Sequence, residues 1–116
     1  MSVNKENQEL LTKSECVPCK GGVEPLKGND LKELLTRLEP GWELINEHHI
    51  EKEYKFKNFR QGLEFVNKAG NLAESQGHHP EIYLTWGRVK IMLWTHKIGG
   101  LHKNDFIMAA KLDRIT

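Results

Sequence analysis

IYLTWGRVKIMLWTH, residues 82–96, carries alternating side chains on either side of a single glycine. In its second half Val89, Ile91 and Leu93 share one face, and the residues between them share the other. A period of two predicts β-strands that bury one face. Because Gly87 interrupts the pattern, we expect two antiparallel strands, Ile82–Trp86 and Arg88–His96, joined by a tight turn.

A second pair of strands is predicted upstream of this segment. Tyr54 and Phe56 alternate with charged residues within 50–57, and a shorter candidate runs from Trp42 to about Asn46. The polar residues between these two segments form the predicted turn. The two hairpins together supply four antiparallel strands.

Three amphipathic segments separate and follow the hairpins. They run from Asn29 to Pro40-Gly41, from Phe59 to Gln76, and from about Lys103 to Ile115. Asn29 or Asp30 is expected to cap the first helix, and Gly77 to end the second. The order helix-strand-strand-helix-strand-strand-helix predicts an α+β fold, a four-stranded antiparallel sheet with three helices packed on one face.

The longest predicted helix carries an apolar stripe whose members are spaced three and four residues apart. The stripe consists of Phe59, Leu63, Val66, Ala69, Gly70 and Ala73. Small residues in its C-terminal half predict close packing against the sheet.

Residues 1–25 are predicted to be a flexible N-terminal arm, because prolines and glycines break any periodicity, and residues 26–116 to be a single domain. The arm contains Cys16 and Cys19 in a Cys-x-x-Cys arrangement. Two free thiols are the first interpretation, since a structural zinc site needs two more ligands. A bound metal or a disulfide stays an alternative.

Composition excludes several classes of function. The chain has 116 residues, 17 basic and 16 acidic, and a net charge of +1, so it lacks the basic excess of a dedicated nucleic-acid binder. No apolar run approaches the roughly 20 residues of a membrane span. With two cysteines and no apolar segment near Met1, we expect a cytoplasmic location.

Titratable side chains converge at one edge of the predicted sheet. An antiparallel pair brings the start of its first strand beside the end of its second, so His78 and His79 approach His96. Glu74, on the last turn of the long helix, and Asp105, on the first turn of the last helix, lie at the same edge. Each alone has an ordinary structural interpretation, but their coincidence favours an active site.

Acid–base chemistry suits these residues better than metal binding. Three histidines and an acid can hold zinc, but His78 and His79 are adjacent in an extended stretch, so their rings point to opposite sides. Imidazole both accepts and donates protons near neutral pH.

Three motifs resemble those of the pterin-4-alpha-carbinolamine dehydratases. They are Glu74-x-x-x-His78-His79-Pro80, Thr95-His96 and Gly100-Leu101-x-x-x-Asp105. The resemblance covers roughly residues 26–116, including Gly41-Trp42, and the family's fold has the element order predicted above. The family usually carries Ser or Thr where this chain has His102, and the N-terminal arm is similar to an extension of some non-animal members.

The resemblance implies a hydro-lyase that converts a 4a-hydroxytetrahydropterin to quinonoid dihydropterin and water. Such a substrate is what pterin-dependent aromatic amino-acid hydroxylases leave, so the implied role is tetrahydrobiopterin-type cofactor recycling. Neither a metal nor another cofactor is implied, because nothing changes oxidation state.

The resemblance also implies residue roles. His78 and His96 form the acid–base pair, with their order left open, and His79 orients the pterin. Asp105 orients an imidazole or binds a ring N–H, and Glu74 accepts from the pterin or orients His78. The implied substrate-binding set is Glu74, His78, His79, Pro80, Thr95, His96, Lys97, Ile98 and Trp42, although Trp42 could equally belong to the core.

A homodimer or homotetramer is expected from the family and from the short edge strands, built through sheet edges and the last helix. The alternative function is a non-catalytic interaction protein, since some animal members are oligomeric partners of a transcription factor.

Overall fold

The computed structural model describes residues 10–17 and 21–116. From Asn29 onward the elements are α1 (Asn29–Thr36), β1 (Glu43–Ile45), β2 (His49–Lys55), α2 (Phe59–Gln76), β3 (Glu81–Thr85), β4 (Arg88–Leu93), a 3₁₀ turn (His96–Ile98) and α3 (Lys103–Arg114). Residues 10–13 are also helical. The predicted order of helices and strands is confirmed.

The four strands form one antiparallel sheet in the order β1-β2-β4-β3. In its centre Ile50 lies opposite Leu93 and Tyr54 opposite Val89, and all four side chains are buried under the helices. The other face of the sheet carries charged side chains, such as Glu51 at 3.4 Å from Lys90 Nζ. The predicted α+β class, with helices on one face, is confirmed.

The β4 strand ends three residues before the predicted end at His96. Thr95 pairs back with Gly100, since its N–H donates to the Gly100 carbonyl at 2.8 Å. The loop between them places His96 in the 3₁₀ turn, outside the sheet. Gly100 is needed here because a Cβ atom would lie 2.8 Å from Cβ of Pro25.

The start of α1 differs from the prediction. The N-cap residue is Gly28, with φ at 57°, and no side chain caps the helix, so the assignment of Asn29 or Asp30 as cap is wrong. Glu47, in the β1–β2 turn, accepts the Gly28 N–H at 2.6 Å instead. A tertiary contact thus satisfies the N–H of the N-cap residue, while no side chain accepts the N–H groups of the first helical turn.

The α2 helix has the predicted bounds, but the N-terminal half of its apolar stripe is wrong. Gly62 and Phe65 are buried with Ala69 and Ala73, whereas Phe59 and Leu63 are 45% and 41% exposed. The buried face at the start of α2 is thus rotated about the helix axis from the predicted one. Gly62 explains this rotation, because a Cβ atom there would lie 3.1 Å from Cδ1 of Leu84 on β3. The missing side chain lets the helix approach the sheet on that side.

The α3 helix is covered almost completely by its own domain. Its buried apolar residues are Phe106, Ile107, Met108, Ala109, Ala110 and Leu112. These side chains are therefore covered within the chain itself, and the oligomer interface expected at this helix stays a prediction. Among the described residues, no helix is long and apolar enough to cross a membrane.

Residues 10–17, inside the predicted flexible arm, pack against the domain. Leu11 is 1% exposed, and Lys111 Nζ donates to the Thr12 carbonyl at 2.9 Å. Residues 10–17 therefore contact the folded unit, and the division of the chain at residue 25 stays a prediction. Cys19 lies outside the described residues, so the Cys-x-x-Cys hypothesis stays a prediction.

Candidate active site

A cavity of about 700 Å³ opens where β3 begins and β4 ends. Its volume lies within the range of small-molecule sites. Six of the predicted site residues line it: His78, His79, Pro80, Thr95, His96 and Lys97. The edge of the sheet predicted from hairpin geometry is thus where the structure places the three histidines.

The end of α2 fixes the backbone of His78. Gly77 takes a left-handed conformation with φ at 63°, which glycine adopts without strain. The His78 N–H then donates to the Ala73 carbonyl at 3.2 Å. This hydrogen bond closes the helix and holds His78 at the mouth of the cavity.

Asp105 is fully buried behind the cavity and holds the His78 ring. Its Oδ1 lies 2.6 Å from His78 Nε2, and its Oδ2 accepts from the Thr95 hydroxyl at 2.8 Å and from the His102 N–H at 2.9 Å. Because an ionised carboxylate only accepts, Nε2 of His78 must donate. In the neutral ring Nδ1 is then the proton acceptor.

His102 caps α3 despite being an unusual residue for that position. Its Nδ1 accepts from the Asn104 N–H at 3.0 Å, and Asp105 accepts in return from the His102 N–H. This reciprocal pair is a capping box. His102 and Asp105 therefore close the first turn of α3 together.

His79 pairs with Glu74 and not with Asp105. Its Nε2 lies 3.2 Å from Glu74 Oε2, and the two side chains are 62% and 80% exposed. An exposed pair of this kind contributes little stability. Glu74 thus approaches His79, whereas sequence reasoning placed it near His78 or the ligand, and it is not among the cavity-lining residues.

Trp94 is a cavity residue that sequence reasoning missed. Its indole stacks on the His96 ring, with centroids 3.8 Å apart and planes 20° from parallel. The His48 ring also contacts the indole, with its centroid at 4.3 Å and its plane tilted by 44°. A signal was present, because the strand predicted over 88–96 places Trp94 and His96 on one face, but a tryptophan on a strand is equally typical of the core.

Trp42 lies apart from the cavity. It is 6% exposed, and its indole N–H donates to Asp113 at 2.9 Å. Lys52 Nζ and the Tyr54 hydroxyl donate to the other oxygen of Asp113, at 2.8 and 2.7 Å. Of the two interpretations of Trp42, the structure favours the core. Ile98 is also absent from the cavity lining.

Cys16 and Val17 form part of the cavity wall. Burial raises the pKa of the Cys16 thiol to about 11, so the thiol stays protonated at neutral pH and is a weak nucleophile. Within residues 10–17 and 21–116, no group of three or more His, Cys, Asp or Glu side chains is arranged to hold a metal ion.

The arrangement can support proton transfer at two sides of a bound small molecule. His78 has a defined tautomer, given by a buried carboxylate, and His96 is held against an aromatic face. The two rings are supplied by different elements that meet at one cavity. One can accept a proton while the other donates.

Comparison with known families gives one match across most of the chain. The family model described as pterin 4 alpha carbinolamine dehydratase matches residues 24–115. The match therefore spans all the helices and strands from α1 to α3, and it excludes residues 10–17.

Individual relatives give the same result. A protein of Rubrobacter xylanophilus, provisionally named pterin-4-alpha-carbinolamine dehydratase, is 55% identical over 90% of this chain and 97% of its own length. A relative from Alkaliphilus metalliredigens with the same provisional name is 48% identical over 90% and 94%. The crystal structure of a transcriptional coactivator/pterin dehydratase from Brucella melitensis is 32% identical, with a TM-score of 0.74 over 79% of this chain and 98% of that one.

Proposed function

The chain belongs to the pterin-4-alpha-carbinolamine dehydratase family, and we propose that its cavity performs the reaction of that name. It is then a hydro-lyase that removes water from a 4a-hydroxytetrahydropterin and releases quinonoid dihydropterin. The C4a–O bond breaks, and the hydroxyl leaves as water after receiving a proton. The N5–H bond also breaks, and its electron pair forms the C4a=N5 double bond.

This reaction needs one acid and one base on a bound heterocycle. A positioned side chain in either role contributes typically 10²–10⁴-fold. His78 is proposed as the base, because its Nε2 hydrogen bond to Asp105 leaves Nδ1 as the acceptor for the N5 proton. His96, exposed at the cavity and stacked on Trp94, is proposed as the acid that protonates the leaving hydroxyl.

The remaining groups bind and position. His79, with Glu74 at 3.2 Å, is proposed to orient the pterin ring. Backbone and side-chain groups of Pro80, Thr95 and Lys97 line the same cavity and would contact the bicycle. Asp105 is fully buried, so it acts as a positioning residue through His78.

One observation carries the proposal: the His78–Asp105 pair and His96 lie at the same cavity, although the two histidines are 18 positions apart in the sequence. Core packing does not account for the place of His96, whose side chain is exposed at the cavity. A buried carboxylate that fixes a histidine tautomer is the usual means of preparing an imidazole for proton transfer.

Dehydration of a synthetic 4a-hydroxytetrahydropterin, followed by stopped-flow absorbance, tests this proposal. We expect the wild-type protein to accelerate the loss of water and His96→Ala to lower kcat by about 10²-fold. His49→Ala is the matched control, since His49 lies on β2 outside the cavity lining. An uncatalysed rate with the wild-type protein contradicts the proposal.

The setting of the reaction is proposed with it. The substrate class points to a pterin-dependent aromatic amino-acid hydroxylase as its source, with cofactor recycling as the role and the cytoplasm as the location. We also propose a homodimer or homotetramer, supported by exposed apolar side chains: Tyr83 on edge strand β3, Trp86 in the turn after it, and Phe59 and Leu63 on α2. A monomer mass in light scattering at micromolar concentration contradicts this assembly.

A further inference from the structure

Residues 10–17, which we call the strap, contact the two turns that carry the His78–Asp105 pair. The strap lies outside residues 24–115, the part of the chain that the family model matches. It is anchored by Leu11, which is 1% exposed and belongs to the hydrophobic core. Its far end, Cys16 and Val17, reaches the cavity.

The first contact is with the end of α2. Cys16 N–H donates to Gln76 Oε1 at 3.0 Å, and Gln76 Nε2 donates to Glu15 Oε2 at 2.6 Å. Gln76 is the last residue of α2 and lies two residues before His78. The strap therefore binds the turn that fixes the backbone of His78.

The second contact is with the start of α3. Val17 N–H donates to Asn104 Oδ1 at 3.0 Å, and Asn104 Nδ2 donates to the Val17 carbonyl at 2.6 Å. Asn104 is 2% exposed and immediately precedes Asp105. Both polar atoms of its side chain are thus used to hold the strap, beside the carboxylate that orients His78.

We propose that the strap is a positioning element of the active site, which holds the turns of His78 and Asp105 in register and completes the cavity wall. This inference rests on the proposed function of His78 as a catalytic base. The strap crosses from one turn to the other, so its release leaves the spacing of the two turns to the His78–Asp105 hydrogen bond and to the packing of α2 against α3. A displacement of about 1 Å in a catalytic pair can cost on the order of 10²-fold in rate.

Leu11→Asp in the full-length protein tests the proposal, because it releases the anchor without altering a cavity residue. Leu10→Asp is the matched control, since Leu10 is 61% exposed. Release is verified by faster tryptic cleavage after Lys13, which is helical in the strap. We expect kcat to fall about 10-fold for Leu11→Asp and to stay unchanged for Leu10→Asp.

Double variants distinguish positioning from a general loss of stability. If the strap acts through His78, Leu11→Asp costs nothing further in a His78→Ala background but the full 10-fold in a His96→Ala background. Equal losses in both backgrounds overturn the proposal. So does an unchanged kcat in a Leu11→Asp protein whose strap is demonstrably released.

A nuclear magnetic resonance measurement keeps the strap test independent of activity. The His78 Nε2 proton, hydrogen-bonded to Asp105, should give a downfield signal that shifts or broadens in Leu11→Asp and not in Leu10→Asp. An unchanged signal overturns the strap proposal even if the wild-type protein fails to dehydrate the pterin. Conversely, if the wild type is inactive but the His78 signal shifts in Leu11→Asp as expected, only the proposed function is overturned.

A charge exchange provides a second variant should Leu11→Asp not fold. Gln76→Glu places a carboxylate against Glu15, where the amide now donates at 2.6 Å, so the strap is repelled and kcat falls. Adding Glu15→Gln restores a donor–acceptor pair with the roles reversed, and we expect kcat to recover. Failure of the second substitution to rescue the first contradicts the strap's role.

Discussion

Asp105 Oδ1 lies 2.6 Å from His78 Nε2, and the carboxylate is completely buried. The bond joins the first turn of α3 to the second residue after α2, so it links the helical layer to the cavity. The same carboxylate accepts from Thr95, which directly precedes His96. The Asp105 side chain therefore fixes His78 directly and the residue before His96, so it helps to position both proposed acid–base histidines.

Asp105→Asn should lower both activity and stability. The amide cannot accept all three hydrogen bonds, so His78 loses its fixed tautomer, and we expect kcat to fall about 10²-fold. The free energy of unfolding should fall by about 1–3 kcal/mol, the cost of an unsatisfied buried group. Stopped-flow rates and urea titrations measure the two effects.

Asp113→Asn is the control for that experiment. Asp113 also accepts three hydrogen bonds, from Trp42, Lys52 and Tyr54, but outside the cavity. We expect a comparable loss of stability with kcat unchanged below the unfolding transition. If the two variants lose activity equally, the role of Asp105 is structural only.

Trp94→Leu tests whether the indole positions His96. An aromatic contact contributes about 0.5–1.5 kcal/mol, so kcat should fall up to about 10-fold, with a smaller loss for Trp94→Phe, which keeps an aromatic face. The Michaelis constant should stay near the wild-type value. A raised Michaelis constant with normal kcat would assign Trp94 to substrate binding, and Trp86→Leu, 73% exposed, is the control.

The cap of α3 gives a prediction about stability. His102→Ala removes the acceptor for the Asn104 N–H and should lower the free energy of unfolding by about 1 kcal/mol. His102→Ser supplies a better cap and should match or exceed the wild type. Thermal melts of the wild type and the two variants measure these differences. Equal stability of all three proteins would show that the cap contributes nothing.

Alkaline pH should destabilise the fold through Tyr54. Burial raises the pKa of its hydroxyl, as do the charge of Asp113 and the hydrogen bond to it. Above about pH 10 the unfolded state therefore loses this proton while the folded state keeps it, so the free energy of unfolding falls as pH rises. Tyr54→Phe should flatten that alkaline slope in urea titrations. An identical slope in both proteins contradicts this assignment.

Local pattern predicted the sheet and the long helix well. The alternation around Val89 and Ile91 appears in the structure as two fully buried side chains, because a period of two leaves only one face to cover. The bounds of α2 follow from Gly77 at its end and from Asn58, whose side chain accepts the Gln61 N–H at its start. The same hairpin geometry predicted the edge of the sheet at which His78, His79 and His96 meet.

Contacts between distant residues explain what sequence reasoning missed. The strap is held by Gln76 and Asn104, which lie 60 and 87 residues from their partners, so no local pattern reveals it. The stack of Trp94 on His96 depends on the 3₁₀ turn that Thr95 and Gly100 create. The Gly28 cap of α1 likewise depends on Glu47.

The histidines provide the most direct test of the account. His78→Ala and His96→Ala should each retain part of the activity, while His79→Ala should raise the Michaelis constant more than it lowers kcat. The deciding measurement is the stopped-flow dehydration rate of the His78→Ala/His96→Ala double variant with its fold verified by circular dichroism. We predict a rate close to that of the uncatalysed reaction, since about 10²-fold is lost with each group. Substantial catalysis by the folded double variant would contradict the acid–base assignment and transfer it to His79 or bound water.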